Sequence, residues 1–184
     1  MFSGRGEKFT EEAERRIETL VADTSWTATT SGPGAEPQAD LVERYIRHLL
    51  TVFPEAARAA SMRLAIDCAN GATSAVASRV FAALGLSVDV LADQPDGRNI
   101  NRDCGSTHPE GLARHVRERG LQLGVAFDGD GDRMLAVDET GAAIDGDQIV
   151  AILALAHSVD TVAVTSMTNL GFHRLMGEHG VRVL

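Results

Sequence analysis

The sequence predicts an α/β fold, a mixed β-sheet with helices on its faces, followed by a truncated second α/β unit. From residue 63 onwards, short apolar segments alternate with segments of helical periodicity, which is typical of parallel strands joined by helices. Two apolar segments, 134–137 and 142–144, are separated only by a tight turn and therefore predict an antiparallel hairpin. The combination of both patterns makes the predicted sheet mixed.

Two helices are predicted before the sheet begins. Thr10 is a suitable N-cap for a helix that opens with acidic residues, which interact favourably with the positive end of the helix dipole. A second helix begins at Asp40, and Pro54 ends it. Residues 24–37, which are rich in Thr, Ser, Gly and Pro, predict the loop between these helices. The first helix has one apolar face, formed by Ile17, Leu20 and Val21.

The first strand–helix–strand unit begins with an apolar strand at 63–67. A turn at 70–72 leads into a helix that closes at Gly85, since glycine is favoured just after the last helical residue. The second strand, at 87–91, is expected to lie parallel to the first through a right-handed crossover.

The rest of the predicted sheet follows a long polar loop at 92–109. A helix over 110–119 leads to a third strand at 121–127, and the hairpin comes next. Asp145 then opens a helix that continues to about His157.

Three regions are predicted along the chain. Residues 1–37 form an N-terminal lead-in, 38–158 form the α/β domain, and 159–184 form the start of a further α/β domain. That last region contains one strand, one helix and a final strand, which cannot bury their own sheet face. We therefore expect the second domain to be truncated.

Composition limits the classes of function. The formal net charge is −9, and an acidic chain without a basic stripe is not expected to bind nucleic acid. No apolar run reaches the roughly 18 residues that a membrane span needs, and the N-terminus lacks a signal core, so we predict a soluble cytoplasmic protein without membrane contact. Cys68 and Cys104 are too few for a disulfide framework and are expected to be reduced.

One segment, 128–133, carries the clearest chemistry. Asp128, Asp130 and Asp132 alternate with glycine, and the glycines allow the backbone to curl until the three acids converge. Converging carboxylates without Cys or His suit a hard cation such as Mg²⁺, and without a cation they repel one another. A solvated acidic turn is the alternative, because Asp-Gly pairs are common in turns.

Two further interpretations of this segment depend on its neighbours. Asp128, Asp130, Asp132 and Glu139 match four ligand positions of a calcium-binding helix–loop–helix, but Arg133 stands where that loop needs glycine, and strands are predicted on both sides. Arg133 either contacts a phosphate together with the metal or forms an internal salt bridge within the acidic loop.

The segment 128–133 resembles the metal loop of the phosphohexose mutases (the α-D-phosphohexomutase family). Three more segments, in the order and at the spacing of that family, resemble its phosphoglucosamine mutase branch: Asp67–Ala72, Asn99–Thr107 and Asp145–Ile149. The resemblance covers nearly the whole chain. It corresponds to the second of four domains in that family and the start of the third.

The resemblance implies a function for the intact parent enzyme. Such an enzyme interconverts glucosamine-6-phosphate and glucosamine-1-phosphate through a phosphoserine and Mg²⁺, in amino-sugar nucleotide synthesis. Asp128, Asp130 and Asp132 would hold the metal, and Arg133 would contact the phosphoserine phosphate. No catalytic residue is expected in this chain, because the phosphoserine domain is missing. The expected partners are a phosphosugar and the missing domains of the same enzyme.

Several alternatives remain open at this stage. The metal loop is shared with phosphomannomutases and phosphoglucomutases, and a non-catalytic remnant is a third possibility. Residues 70–72 either bind phosphate through helix amides or form only a tight turn. Asp145 and Asp147 either reach the metal or cap the next helix.

Overall fold

The computed structural model describes residues 2–27, 39–52 and 61–184. Pro54, most of the predicted loop at 24–37 and the predicted boundary between 37 and 38 lie outside the described residues. The helices are α1 (Glu11–Ala22), α2 (Ala39–Val52), α3 (Ala77–Ala83), α4 (Glu110–Arg119), α5 (Gly146–Ala156) and α6 (Leu170–Glu178). The strands are β1 (Arg63–Asp67), β2 (Ser87–Leu91), β3 (Leu123–Phe127), β4 (Met134–Asp138), β5 (Ala143–Ile144), β6 (Thr161–Val162) and β7 (Arg182–Val183).

The central sheet has five strands in the order β2-β1-β3-β4-β5. β1 pairs in parallel with β2 and β3, while β4 is antiparallel to both β3 and β5. The mixed sheet predicted from the sequence is therefore confirmed. Because β1 and β3 are parallel, the loops that follow them emerge at the same edge of the sheet.

Side chains of β1 alternate between two apolar clusters, one on each face of the sheet. Ala65 faces the cluster that contains Leu112 and Val116 of α4. Ile66 faces the opposite cluster, against Ala77 of α3. Helices thus cover both faces of the sheet, as the sequence predicts.

Helix α4 lies very close to β3, because Gly124 has no side chain. A Cβ atom at Gly124 would come 2.8 Å from Val116 Cγ2 and 2.9 Å from Leu112 Cγ. Gly120 ends the same helix in the left-handed conformation, with φ 61°. This close packing holds β3 in place and, with it, the start of the loop that follows β3.

The C-terminal elements have an apolar cluster of their own. β6 and β7 form a two-stranded parallel sheet, and Ala151 and Ala154 of α5 pack with Phe172 and Met176 of α6. Both strands are shorter than the sequence predicts, and β6 ends at Val162 instead of residue 165. A domain boundary between 158 and 159 stays a prediction.

The chain divides into two compact units, residues 1–38 and 39–184. In the first unit, Thr10 caps α1 as predicted, accepting a hydrogen bond from Ala13 N at 3.3 Å. The apolar face of α1 is largely exposed, since Leu20 is 55% exposed and Val21 is 71% exposed, while Ile17 is partly buried. No helix in the described part of the chain combines the length and apolar content that crossing a bilayer requires.

Candidate metal centre

The acidic loop connects the ends of β3 and β4, two neighbouring strands in the middle of the sheet. Asp128 N donates a hydrogen bond to Arg133 O at 3.2 Å, so the two ends of the loop close on each other. Gly131 has φ +76°, a left-handed conformation that glycine adopts without strain. The backbone curl expected from the alternating glycines is therefore present.

The curl brings the three carboxylates together. One oxygen each from Asp128, Asp130 and Asp132 lies within 4.8 Å of the others, and Asp128 is buried while the other two are exposed. Within residues 2–27, 39–52 and 61–184, no other group of three acidic, His or Cys side chains meets this criterion. Ligand oxygens around Mg²⁺ sit about 2.1 Å from the ion, so two of them lie at most about 4.2 Å apart, and the carboxylates converge further when they share one ion. The donor set fits a hard divalent cation.

Asp128 is the fixed member of this triad. Its Oδ1 accepts hydrogen bonds from Gly131 N at 3.1 Å and Arg133 N at 3.0 Å, and its Oδ2 accepts one from Arg133 Nε at 2.9 Å. The backbone N–H of Arg133, assisted by the guanidinium, lowers the pKa of Asp128 from 3.8 to about 2. Asp128 therefore stays ionised, as a metal ligand must, and a carboxylate still has lone pairs for a cation after accepting three bonds.

Arg133 forms an internal salt bridge, which is one of the two roles predicted for it from the sequence. Its Nε atom lies 2.9 Å from Asp128 Oδ2 and 3.6 Å from Asp132 Oδ1. The neighbouring carboxylates, first of all Asp128, raise the pKa of Arg133. Its side chain nevertheless remains 76% exposed, so this ion pair does not bury the guanidinium. The predicted phosphate contact stays a prediction.

The calcium-loop interpretation does not fit the local fold. Strands, and not helices, flank the acidic loop. Glu139 lies beyond the far end of β4, in the turn before β5, and is separated from the loop by the length of a strand. This position excludes Glu139 as the closing ligand of a helix–loop–helix site.

Two other loops surround the acidic loop, and the sequence did not predict their contacts. Ala72 N donates a hydrogen bond to Gly129 O at 2.8 Å, and Ser106 N donates one to Phe127 O at 2.9 Å. Asn101 lies against Gly129, where an added Cβ atom would come 2.7 Å from Asn101 Nδ2. The segments 67–72 and 99–107, both of which carry the family resemblance, thus pack directly on the candidate metal loop.

The other motifs have structural roles. Asp145 caps α5 in a capping box with Gln148, and Asp147 Oδ2 accepts hydrogen bonds from Asn169 at 2.8 and 2.7 Å. The capping interpretation is therefore confirmed for Asp145. Cys68 and Cys104 are both free and buried, and this burial raises the pKa of each thiol.

The comparison with protein-family models places this fold and loop in a known family. Residues 43–141 match the model described as phosphoglucomutase/phosphomannomutase, alpha/beta/alpha domain II. This match covers more than half of the chain, and it includes β1 to β4 of the sheet, α3, α4 and the acidic loop. The chain belongs to the phosphoglucomutase/phosphomannomutase family, which the sequence resemblance indicates as well.

Curated relatives are similar along the whole chain. The phosphoglucosamine mutase of Rhodococcus jostii is 42% identical over 193 residues, covering 100% of this chain and 43% of the relative. That of Streptomyces coelicolor is 43% identical over 193 residues, covering 98% of this chain and 42% of the relative. This chain therefore spans less than half the length of the curated relatives it matches.

Solved structures share the fold. A protein from Thermus thermophilus described as a phosphomannomutase superposes with a TM-score of 0.70 over 97% of this chain and 42% of its own, at 20% identity. A phosphoglucomutase/phosphomannomutase family protein from Burkholderia thailandensis gives a TM-score of 0.62 over 78% of this chain and 32% of its own, at 24% identity. At these identities the likeness concerns the fold alone.

Proposed function

We propose that the chain supplies the divalent-cation site of a phosphoglucosamine mutase, which interconverts glucosamine-6-phosphate and glucosamine-1-phosphate. The observation that supports this most directly is the convergence of Asp128, Asp130 and Asp132 in a loop of the family's second domain. The choice of sugar is favoured by relatives from Rhodococcus and Streptomyces, which carry that name at 42% and 43% identity.

The three carboxylates are the proposed ligands of Mg²⁺, the hard cation that an all-oxygen donor set favours. When bound, Mg²⁺ would stabilise the negative charge of a phosphoryl group in transfer. The proposed contribution of the chain is to hold the three carboxylates in position before the ion binds. Asp128 is held by the Arg133 backbone and guanidinium in its ionised form, while the exposed Asp130 and Asp132 are accessible to the ion.

Arg133 is the proposed phosphate contact. Its ion pair with Asp128 uses Nε, and the side chain is 76% exposed, so an incoming phosphate has access to the guanidinium. A phosphate at this site would have two positive partners. The guanidinium would donate directional hydrogen bonds to its oxygens, and the metal ion would attract them as a point charge.

The remaining parts of the reaction are proposed to come from elsewhere. A phosphoserine and the sugar-recognition residues would lie on further domains of the same enzyme, working in the cytoplasm on a phosphosugar substrate. The alternative substrates are mannose and glucose phosphates, because the metal loop alone does not select the sugar.

A domain exchange tests the proposal. The 193-residue matching segment of the Rhodococcus jostii phosphoglucosamine mutase would be replaced by this chain, and turnover of glucosamine-6-phosphate measured beside that of mannose-6-phosphate. We expect the chimera to prefer the amino sugar. Asp130→Asn should lower its rate about 100-fold or more, since metal stabilisation of a transferring phosphoryl group is worth several kcal/mol.

Glu139→Gln is the matched control, because it also removes one exposed carboxylate close to the loop in sequence. The control chimera should retain its rate. A folded chimera that is inactive on glucosamine-6-phosphate, or one that keeps full activity with Asp130→Asn, would contradict the proposal.

A further inference from the structure

The acidic loop is held from outside as well as by its own hydrogen bonds. Its Gly129 carbonyl accepts a hydrogen bond from Ala72 N at 2.8 Å, a contact between residues 57 positions apart in the chain. The turn that contains Ala72 also carries Gly71, which lies directly against Gly129. Gly129 stands between Asp128 and Asp130, so a shift of Gly129 moves two of the three carboxylates.

Gly71 is a glycine for reasons of space. Its φ of −114° and ψ of −156° are extended values that any residue adopts. A Cβ atom at this position would overlap the carbonyl oxygen of Gly129 and come 2.9 Å from its Cα atom. Both obstacles are backbone atoms, which cannot rotate away as a flexible side chain can. A side chain at residue 71 must therefore displace the acidic loop or the turn itself.

The two loops that pack on the acidic loop, 67–72 and 99–107, turn sharply around this contact. Four residues other than glycine adopt positive φ in these loops, a conformation that is uncommon outside glycine but that Asn and Asp tolerate. They are Ala69 at 55°, Asn70 at 48°, Asn101 at 55° and Asp103 at 53°. Asn101 N donates a hydrogen bond to Ala69 O at 2.9 Å, which joins the two loops. Both loops also contact Gly129, one through Gly71 and the other through Asn101.

We propose that Gly71 is a positioning residue for the metal site: its missing side chain lets the turn clamp Gly129, and the clamp holds the acidic loop in the curl that makes the three carboxylates converge on a divalent cation. This inference rests on the proposed function in one respect, namely that the triad binds a cation. It adds a residue that touches no ligand and acts through the Gly129 backbone.

The experiment measures Mn²⁺ binding to the 184-residue chain by electron paramagnetic resonance, together with urea unfolding of each variant. Gly71→Ala adds one methyl group at the contact. Gly111→Ala is the matched control, because a Cβ atom there meets nothing within 4 Å. We expect Mn²⁺ affinity to fall about 10-fold or more in Gly71→Ala, as for loss of an outer-shell support, and to stay unchanged in Gly111→Ala.

A second variant disrupts the contact from the neighbouring residue: it removes the hydrogen bond, and its ring carbon Cδ, which takes the place of the N–H hydrogen, pushes the Gly129 carbonyl away. Ala72→Pro has no backbone N–H to donate to Gly129 O. The turn itself tolerates this residue, because proline suits the first position of a helical turn and the extended Gly71 is compatible with a following proline. It should weaken Mn²⁺ binding in the same direction. A merely structural role would lower the free energy of unfolding and leave the Mn²⁺ affinity of the folded fraction unaltered.

The outcomes separate the two proposals. If the unmodified chain binds no Mn²⁺, the cation site itself is refuted and the role of Gly71 with it. If the unmodified chain binds Mn²⁺ and both Gly71→Ala and Ala72→Pro bind it equally well, the cation site stands and the positioning role is refuted.

Discussion

Asp138 organises the hairpin turn between β4 and β5 through a single carboxylate oxygen. Its Oδ1 accepts hydrogen bonds from Thr140 N at 2.9 Å, Thr140 Oγ1 at 2.7 Å and Ala142 N at 2.9 Å. These bonds, first of all the one from the Thr140 hydroxyl, lower the pKa of Asp138 below 3.8. The ionised form of Asp138 is therefore favoured in the folded protein. The turn that it organises follows β4, the strand that begins at the end of the acidic loop.

This linkage predicts a pH-dependent effect of Asp138→Ala. The Asp138 contribution to the free energy of unfolding is fully present above pH 3.8 and is lost as the pH falls through the lowered folded pKa. We expect the variant to be less stable than the unmodified chain at neutral pH, and the difference to narrow below about pH 4. Urea unfolding at a series of pH values measures both. Glu139→Gln is the control. If the difference in the free energy of unfolding between Asp138→Ala and the unmodified chain stays constant into the acid range, the prediction is contradicted.

At the scale of elements, Asn169 joins α5 to α6. Its Oδ1 accepts a hydrogen bond from Phe172 N at 2.9 Å as the N-cap of α6, while its backbone and side-chain N–H groups bind Asp147 Oδ2 in the first turn of α5. One side chain thus begins one helix and ties it to another. This junction also borders an open cavity of about 540 Å³ between the two helices.

Substitutions of Asn169 should separate these two contributions. Asn169→Ala removes both the cap and the amide donor, and we expect it to lower the free energy of unfolding by about 1 kcal/mol. Asn169→Ser keeps a capping oxygen and loses only the amide donor, so it should cost less. Urea unfolding and hydrogen exchange of the Phe172 amide are the measurements. Equal losses in the two variants would mean that the cap contributes nothing.

The sequence predicted those elements whose signals are local. The strand at 63–67 and the helix at 110–119 appear with the predicted bounds, because apolar runs and a closing Gly120 mark them. The helix expected after residue 72 is instead a short 3-10 turn over Ala72–Ala75 followed by α3, with the break at Val76. The start of that turn is fixed by its bond to Gly129, a distant contact that local pattern cannot reveal.

The candidate site divides in the same way. The convergence of Asp128, Asp130 and Asp132 follows from acids alternating with glycines, and it was predictable. The packing of Gly71 on Gly129 depends on β1 and β3 being neighbours, so that the loops after both strands meet at one sheet edge. Sequence alone marks Gly71 as a turn residue and does not show what it touches.

At the scale of the whole molecule, the described part of residues 39–184 contains separate apolar clusters. Leu112 is fully buried in the cluster between α4 and the five-stranded sheet, and Met176 is fully buried in the cluster of α5, α6 and β7. The two clusters have no buried residue in common. Groups of elements with independent cores often open independently, as cooperative units of different stability.

Leu112→Ala tests this independence. The substitution leaves a cavity in a well-packed core, so we expect it to lower the free energy of unfolding of the sheet cluster by about 2–5 kcal/mol. Hydrogen exchange should show reduced protection for Val125 in β3 and little change for Met176 in α6. Ile152→Ser is the control, since Ile152 is 56% exposed and its replacement should change stability by about 0.5 kcal/mol or less. Equal losses of protection at Val125 and Met176 would instead show that both clusters unfold as one cooperative unit. A substitution in the sheet core would then lower the stability of α6 as well.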